Sequence, residues 1–255
     1  MLDGIEIVAI ALAAAAAGAV NALAGGGTLI TFPVLTAVGL PAVTANVTNT
    51  VALLPGYVGG TLAQRSDLRG QRRRAWLFVP AGLVGGLLGA VLLLATGERV
   101  FRTLVPFLIL GASALLAVQE PLRARLVRRA ERLGHGPESP RWGVPLVGIA
   151  AVYGGYFGAG LSVILLAVLG LAVDDSLTRL NALKQMISLA ANVAAATFFV
   201  FSGRVEWWAA LVMALAALVG GAIGGRLASR VRPATLRRIV VAIGTVVGVV
   251  YLARW

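Results

Sequence analysis

The sequence predicts an all-α integral membrane protein. The expected architecture is an inverted repeat of two halves, each a glycine-broken helical hairpin plus three transmembrane helices. Three observations lead there. Of 255 residues, 59% are hydrophobic and only 13% are charged, with a mean hydropathy of +0.91. Soluble domains are about half apolar and about a quarter charged, and a core of this size cannot hide so much apolar surface from water, so lipid must be the solvent. Several apolar runs reach the roughly 20 residues that a spanning helix needs. The arginines gather between those runs rather than within them.

In chain order, spans are expected at 5–24, 42–63, 75–95, 99–118, 176–201, 205–228 and 235–253. Two stretches do not fit a simple span. Residues 27–40 are apolar but short, and 143–173 are too long for one helix and are cut by "YGGYFGAG". Both read as hairpins that enter and leave on one side, 5–40 from outside and 143–173 from the cytoplasm. The N-terminus carries Asp3 and Glu6 and no basic residue, so a cleaved secretory signal is not expected.

The two irregular stretches hold corresponding places in the chain. "VGGLLG" at 84–89 recurs as "VGGAIG" at 219–224, and "GLPAVTANVTNTVALLPG" from Gly39 recurs loosely from Gly170. "NALAGGGTL" before the first copy matches "GGYFGAGLS" before the second. This order implies a duplication, with a first membrane repeat at 1–118, a basic cytoplasmic linker at 119–141 and a second repeat at 142–255.

Basic clusters then set the orientation: Arg65, Arg69, Arg72, Arg73 and Arg74; Arg123, Arg125, Arg128, Arg129 and Arg132; Arg226, Arg230, Arg232, Arg237 and Arg238. Cytoplasmic loops are rich in Lys and Arg. The first cluster precedes its "VGG" helix and the third follows its own, so equivalent helices are expected to run in opposite directions. Trp76, Trp142, Trp207, Trp208 and Trp255 fall at span ends, where aromatic belts form.

The same residues exclude much. The net charge of +12 is explained by topology, so no nucleic-acid partner is expected. With no cysteine, disulfides, thiol catalysis and zinc thiolates are ruled out. The single histidine, His135, lies in a loop and cannot form a metal site alone. No histidine or carboxylate is expected inside a span, so neither an enzymatic base nor a buried proton relay is in view. There is no nucleotide-binding loop. No cofactor or metal is expected, the partners are a small anionic substrate and membrane lipid, and homo-oligomerisation is left open.

Candidate binding residues are the polar ones inside spans. Lys184 is the only lysine and lies roughly 12 Å into its helix. A cation there costs on the order of 2.5–3.5 kcal/mol, and no deep acid neutralises it, which points to an anion as its partner. Asn181, Lys184, Gln185, Ser188 and Asn192 share one helical face. Asn46, Asn49 and Thr50 share a face of the equivalent helix, with Gly56, Gly60 and a kink at Pro55 beyond. Asn21 precedes the first glycine tip. At the tips, Gly26 and Gly27, and Gly158 and Gly160, would bring backbone N–H groups to a ligand. The glycines of "VGGLLG" and "VGGAIG" read instead as close-packing positions.

"NALAGGGTLITFPVLTAVGLPAVTANVTNT" and "GGYFGAGLSVILLAVLGLAVDDSLTRLNALKQ", separated by a basic loop, resemble the TauE/SafE family of sulfite exporter-like membrane proteins over nearly the whole chain. The resemblance implies a multi-pass carrier of the bacterial inner membrane for sulfite, sulfonates or related sulfur-containing anions, with no enzymatic activity. The second copy departs from the first, reading "GLAVDD" where the first reads "GLPAVT". A passive anion channel with the same pocket and a non-catalytic structural subunit are the competing expectations.

Overall fold

The computed structural model describes residues 3–23, 26–133, 140–227 and 233–253, and all regular structure among them is helical. The helices are α1 (Gly4–Leu23), α2 (Thr28–Ala37), α3 (Ala42–Ala63), α4 (Arg72–Ala117), α5 (Gln119–Leu133), α6 (Gly143–Tyr156), α7 (Leu161–Ala172), α8 (Leu177–Val200), α9 (Trp207–Leu227) and α10 (Pro233–Ala253). His135, Arg230, Arg232, Trp255, Ala24 and Gly25 lie outside the described residues.

Four helices are long and apolar enough to cross a membrane: α1, α4, α8 and α10. The two expected spans 75–95 and 99–118 are both in α4, a 46-residue helix broken at Gly97 (φ 72°, ψ 179°). At 22 residues α3 is long enough, but its asparagines, threonines and glycines lower its hydropathy. In α9 the apolar run is Trp207–Ile223. Large apolar side chains on one flank of α4 (Leu83, Leu87, Leu88), α9 (Leu211, Leu215, Leu218) and α10 (Val246, Val249) are exposed, as lipid contact requires. Trp76, Trp207 and Trp208 stand exposed at helix starts.

Glycine sets the closest packing. Gly18 of α1 meets the Ala217 carbonyl of α9, and Gly220 of α9 meets Ala15 of α1. The exchanged pair behaves alike: Gly89 of α4 meets the Val152 carbonyl of α6, and Gly155 of α6 meets Gly86 of α4. None of these four positions has room for a Cβ. Without a hydrophobic drive between helices in lipid, such backbone contact provides the packing energy. The expected packing role is what the structure displays at Gly85, Gly86, Gly89 and Gly220; Gly221 has only an ordinary contact with Gly18.

Two links at helix starts also correspond. Gln71 Nε2, just before α4, donates to the Arg179 carbonyl of α8 at 3.0 Å. The Glu206 amide, just before α9, donates to Thr48 Oγ1 of α3 at 3.0 Å.

Gly89→Val should drive α4 and α6 apart and lower stability by about 1–3 kcal/mol or more. Gly111→Ala, on the same helix with nothing within 4 Å of an added Cβ, should be neutral or mildly stabilising. Thermal melting of both variants in detergent checks this, and equal melting temperatures would remove the packing role of Gly89.

Candidate functional site

Both hairpin turns come to one stretch of α3. In the first, Gly26 has φ 92°, and the Gly27 amide donates to Asn21 Oδ1 at 2.8 Å. The first turn of α2 then meets α3: Thr31 Oγ1 donates to Asn49 Oδ1 at 2.5 Å, and Asn49 Nδ2 donates to Thr28 Oγ1 at 3.3 Å. In the second, Gly158 and Gly160 have φ 82° and 80°, and the Tyr153 hydroxyl donates to the Ala159 carbonyl at 2.6 Å. One turn earlier on α3, Asn46 Nδ2 donates to the Tyr156 carbonyl, the end of α6, at 2.9 Å. Phe32 of α2 and Phe157 of the second turn touch edge to face at 5.6 Å.

Positive φ at these glycines is a region that residues with a Cβ rarely adopt. A Cβ at Gly26 would also lie 2.5 Å from Leu116 Cδ1. Glycine is thus demanded by the turns themselves, whatever their backbone does for a ligand.

The second group lies at the far end of α3, against α8. Lys184 Nζ donates to Asn181 Oδ1 at 2.7 Å, and Asn181 Nδ2 donates to Gln64 Oε1 at 2.7 Å. Gln64 Nε2 donates in turn to the Gly60 carbonyl at 3.3 Å. Gln185 rests on Gly60, where a Cβ would be 2.5 Å from Gln185 Nε2. One ammonium N–H is held by Asn181, and the ammonium has three to give.

The pairings Gly60–Gln185 and Gln64–Asn181 show that α3 and α8 run antiparallel. Asn49 lies eleven residues before Gly60, roughly 16 Å along the helix axis. The candidate residues therefore form two groups. Lys184, Asn181 and Gln185 are together, whereas Asn46, Asn49, Asn21, Gly26, Gly27, Gly158 and Gly160 belong to the hairpin turns. Ser188 is fully buried on α8, where its carbonyl accepts from Asn192 Nδ2 at 2.8 Å.

At the start of α8, Asp175 is gripped by Arg74 of α4 and by Arg179 Nε at 2.9 Å, and its Oδ1 accepts the Ser176 amide at 2.7 Å. Arg179 Nη1 continues to the Arg69 carbonyl at 3.0 Å. Burial alone would raise the Asp175 pKa; the bonds from Arg179, Arg74 and Ser176 outweigh it and hold the carboxyl below its ordinary value. Arg237, expected in a cytoplasmic basic cluster, is buried and pairs with Glu120 of α5 at 2.7 Å. Near the break in α4, Glu98 accepts the amides of Ala42 and Val43 at 2.6 and 2.9 Å, capping α3.

Gln64, Thr28, Thr31 and Glu98 were not singled out from sequence. Gln64 sits four residues after Gly60, on the face already marked by Gly56 and Gly60, which was a usable signal. Thr28 and Thr31 are spaced i, i+3 just past the glycine turn. Glu98 gave no local sign, because its partners are more than fifty residues away.

A helical membrane bundle with two glycine-broken hairpins has the build of a membrane transporter. The chain belongs to the TauE/SafE sulfite exporter family, whose model matches residues 10–251. It is 25% identical over 239 residues to a probable membrane transporter protein of Haemophilus influenzae, covering 93% of this chain and 91% of that one. It is 27% identical over 221 residues to the probable membrane transporter protein ORF9 of a Sinorhizobium species, covering 85% and 81%. It is 25% identical over 240 residues to the probable membrane transporter protein YfcA of Escherichia coli K12, covering 90% and 83%. No solved structure matches the chain significantly.

Because Asp175 is held below its ordinary pKa, its contribution to stability is present above the carboxylate range and is lost as pH falls through it. Asp175→Asn should melt below the unsubstituted chain at pH 7, and the gap should close as pH falls from about 5 to about 3. A gap that stays constant across that range would contradict the ionic role of Asp175.

Proposed function

We propose that the chain is a secondary transporter of a small sulfur-containing anion, of the sulfite or organosulfonate class, across the bacterial inner membrane. The anion would bind within the membrane between the two repeats, with Lys184 as its electrostatic anchor. The observation that carries this reading is the Lys184 group. A lone lysine sits inside a span with one N–H on a neutral amide and a glutamine next to it in the chain.

The bonding order suggests how binding works. Gln64 takes the Asn181 NH₂, which turns the Asn181 oxygen toward Lys184. An arriving oxyanion can take the remaining ammonium N–H groups. Rotation of the Asn181 amide, or its release from Gln64, would then present a further donor. In a medium of low dielectric this contact is much stronger than in water, and the compact ammonium suits a small tetrahedral or pyramidal oxyanion. Exposed Arg65, Arg69, Arg72 and Arg73 near the same end of the bundle would raise the local anion concentration.

An inverted repeat is supported by three features: the antiparallel course of α3 and α8, which hold equivalent places in the two halves, the exchanged pairing of α1 with α9 and α6 with α4, and the matching links Gln71–Arg179 and Glu206–Thr48. On this reading the repeats are 1–118 and 142–255, and 119–141 is a cytoplasmic linker. Gly70 should then face the cytoplasm and Gly203 the opposite side. The chain has no cysteine, so single cysteines at 70 and 203 can be labelled with an impermeant thiol reagent. Labelling of both from the same side would sink the arrangement.

Binding of sulfite to purified protein tests the site. Lys184→Ala should weaken sulfite at least 100-fold while the protein stays monodisperse, and Lys184→Arg should retain part of the affinity. Undiminished affinity in a folded Lys184→Ala protein would move the site elsewhere. Saturable counterflow in proteoliposomes supports a carrier; uncoupled conductance would support a channel instead.

A further inference from the structure

The hairpin group does something different from the lysine group. Asn46 is completely buried. Its Nδ2 is committed to the Tyr156 carbonyl at 2.9 Å, and that contact fixes the amide orientation, because a flipped amide would set oxygen against oxygen. The group left over is Asn46 Oδ1, a buried acceptor with no donor among the described residues. An unmet carbonyl in such a place costs about 1–3 kcal/mol, so its retention points to a ligand.

The surroundings specify the ligand's sign. Asn46 sits at the C-terminal end of α6, where the last carbonyls have no helical partners and the helix dipole is negative. The Tyr156 carbonyl keeps a second lone pair after accepting from Asn46. Asn46 Oδ1 and the Tyr156 carbonyl are both acceptors, which an anion cannot use. A divalent or transition metal finds no group of carboxylate, histidine or cysteine ligands among the described residues. A proton has nothing to titrate in an amide. A small monovalent cation suits neutral oxygens at a helix C-terminus, the arrangement that holds coupling ions in carriers with broken helices. The rings of Phe32, Phe101, Tyr156 and Phe157 pack around the turn with centroids 5.5–6.3 Å apart, which leaves room for a bare ion rather than a hydrated one.

We propose that Asn46 Oδ1 and the terminal carbonyls of α6, with that of Tyr156 foremost, form a sodium site distinct from the Lys184 group. The role given to it rests on the transporter reading: sodium would be the coupling ion. Asn46 and Asn49 are one turn apart on α3, and each holds a different hairpin. An ion at Asn46 would therefore favour the arrangement in which both hairpins are docked, roughly 21 Å along α3 from Gly60.

The test uses the purified full chain. Binding of radioactive sodium is measured together with melting temperature in sodium chloride and in choline chloride at equal ionic strength. The unsubstituted chain should bind sodium saturably and melt higher in sodium. Asn46→Ala should lose both effects. Asn46→Asp puts a carboxylate against the Tyr156 carbonyl, so it should be destabilised in choline and gain more from sodium than the unsubstituted chain does. No saturable sodium binding, an equal response to potassium and sodium, or a sodium effect that survives in Asn46→Ala would overturn the site. Sulfite binding in choline, with and without Lys184→Ala, is read on the same samples. Lysine-dependent sulfite binding without any sodium effect would leave the anion reading standing and remove only this one.

Discussion

Hydrocarbon offers no hydrogen bonds, so every polar group placed in it must be met by the protein or by what the protein carries. The α3–α8 pair answers this demand in two ways. At one end the amides of Asn46 and Asn49 fasten the broken hairpins, supplying partners for groups that the glycine turns free from regular helix. At the other, Gln64 and Asn181 form a relay that ends on Lys184. The first arrangement nearly closes on itself, leaving one carbonyl over. The second leaves an ammonium with donors to spare.

The short hairpins are held by close contact with neighbouring helices. The α1–α9 and α4–α6 contacts are made backbone to backbone through glycine, so each hairpin is clamped by a helix distant from it in the chain. At the ends of the bundle, Asp175 ties α4 to α8, and Glu98 ties the break in α4 to the start of α3.

Most of the helices were legible because membrane spans declare themselves by length and apolarity. The hairpin turn at 157–160 was readable from glycine spacing, and so was the packing role of Gly86, Gly89 and Gly220. The lysine group was half legible: helical spacing put Asn181, Lys184 and Gln185 on one face, but Gln64 comes from another helix, and pairing between helices is not a local property. The same limit applies to Asn49. The expected repeat would set it opposite Asn181, which suggests one shared pocket, yet the antiparallel course of α3 and α8 carries the two positions to opposite levels. Glu98 and Arg237 gave no local sign, since their partners are distant in sequence.

The central claim is that the substrate anion rests on Lys184. A structure determined in the presence of selenite, a heavier analogue of sulfite, tests it most directly, because selenium can be located by its anomalous scattering. The expected result is a selenium peak beside Lys184, with its oxygens within hydrogen-bond reach of Nζ and close to Gln185. A peak at the glycine turns with none at Lys184 would contradict the claim and assign the anion to the hairpins.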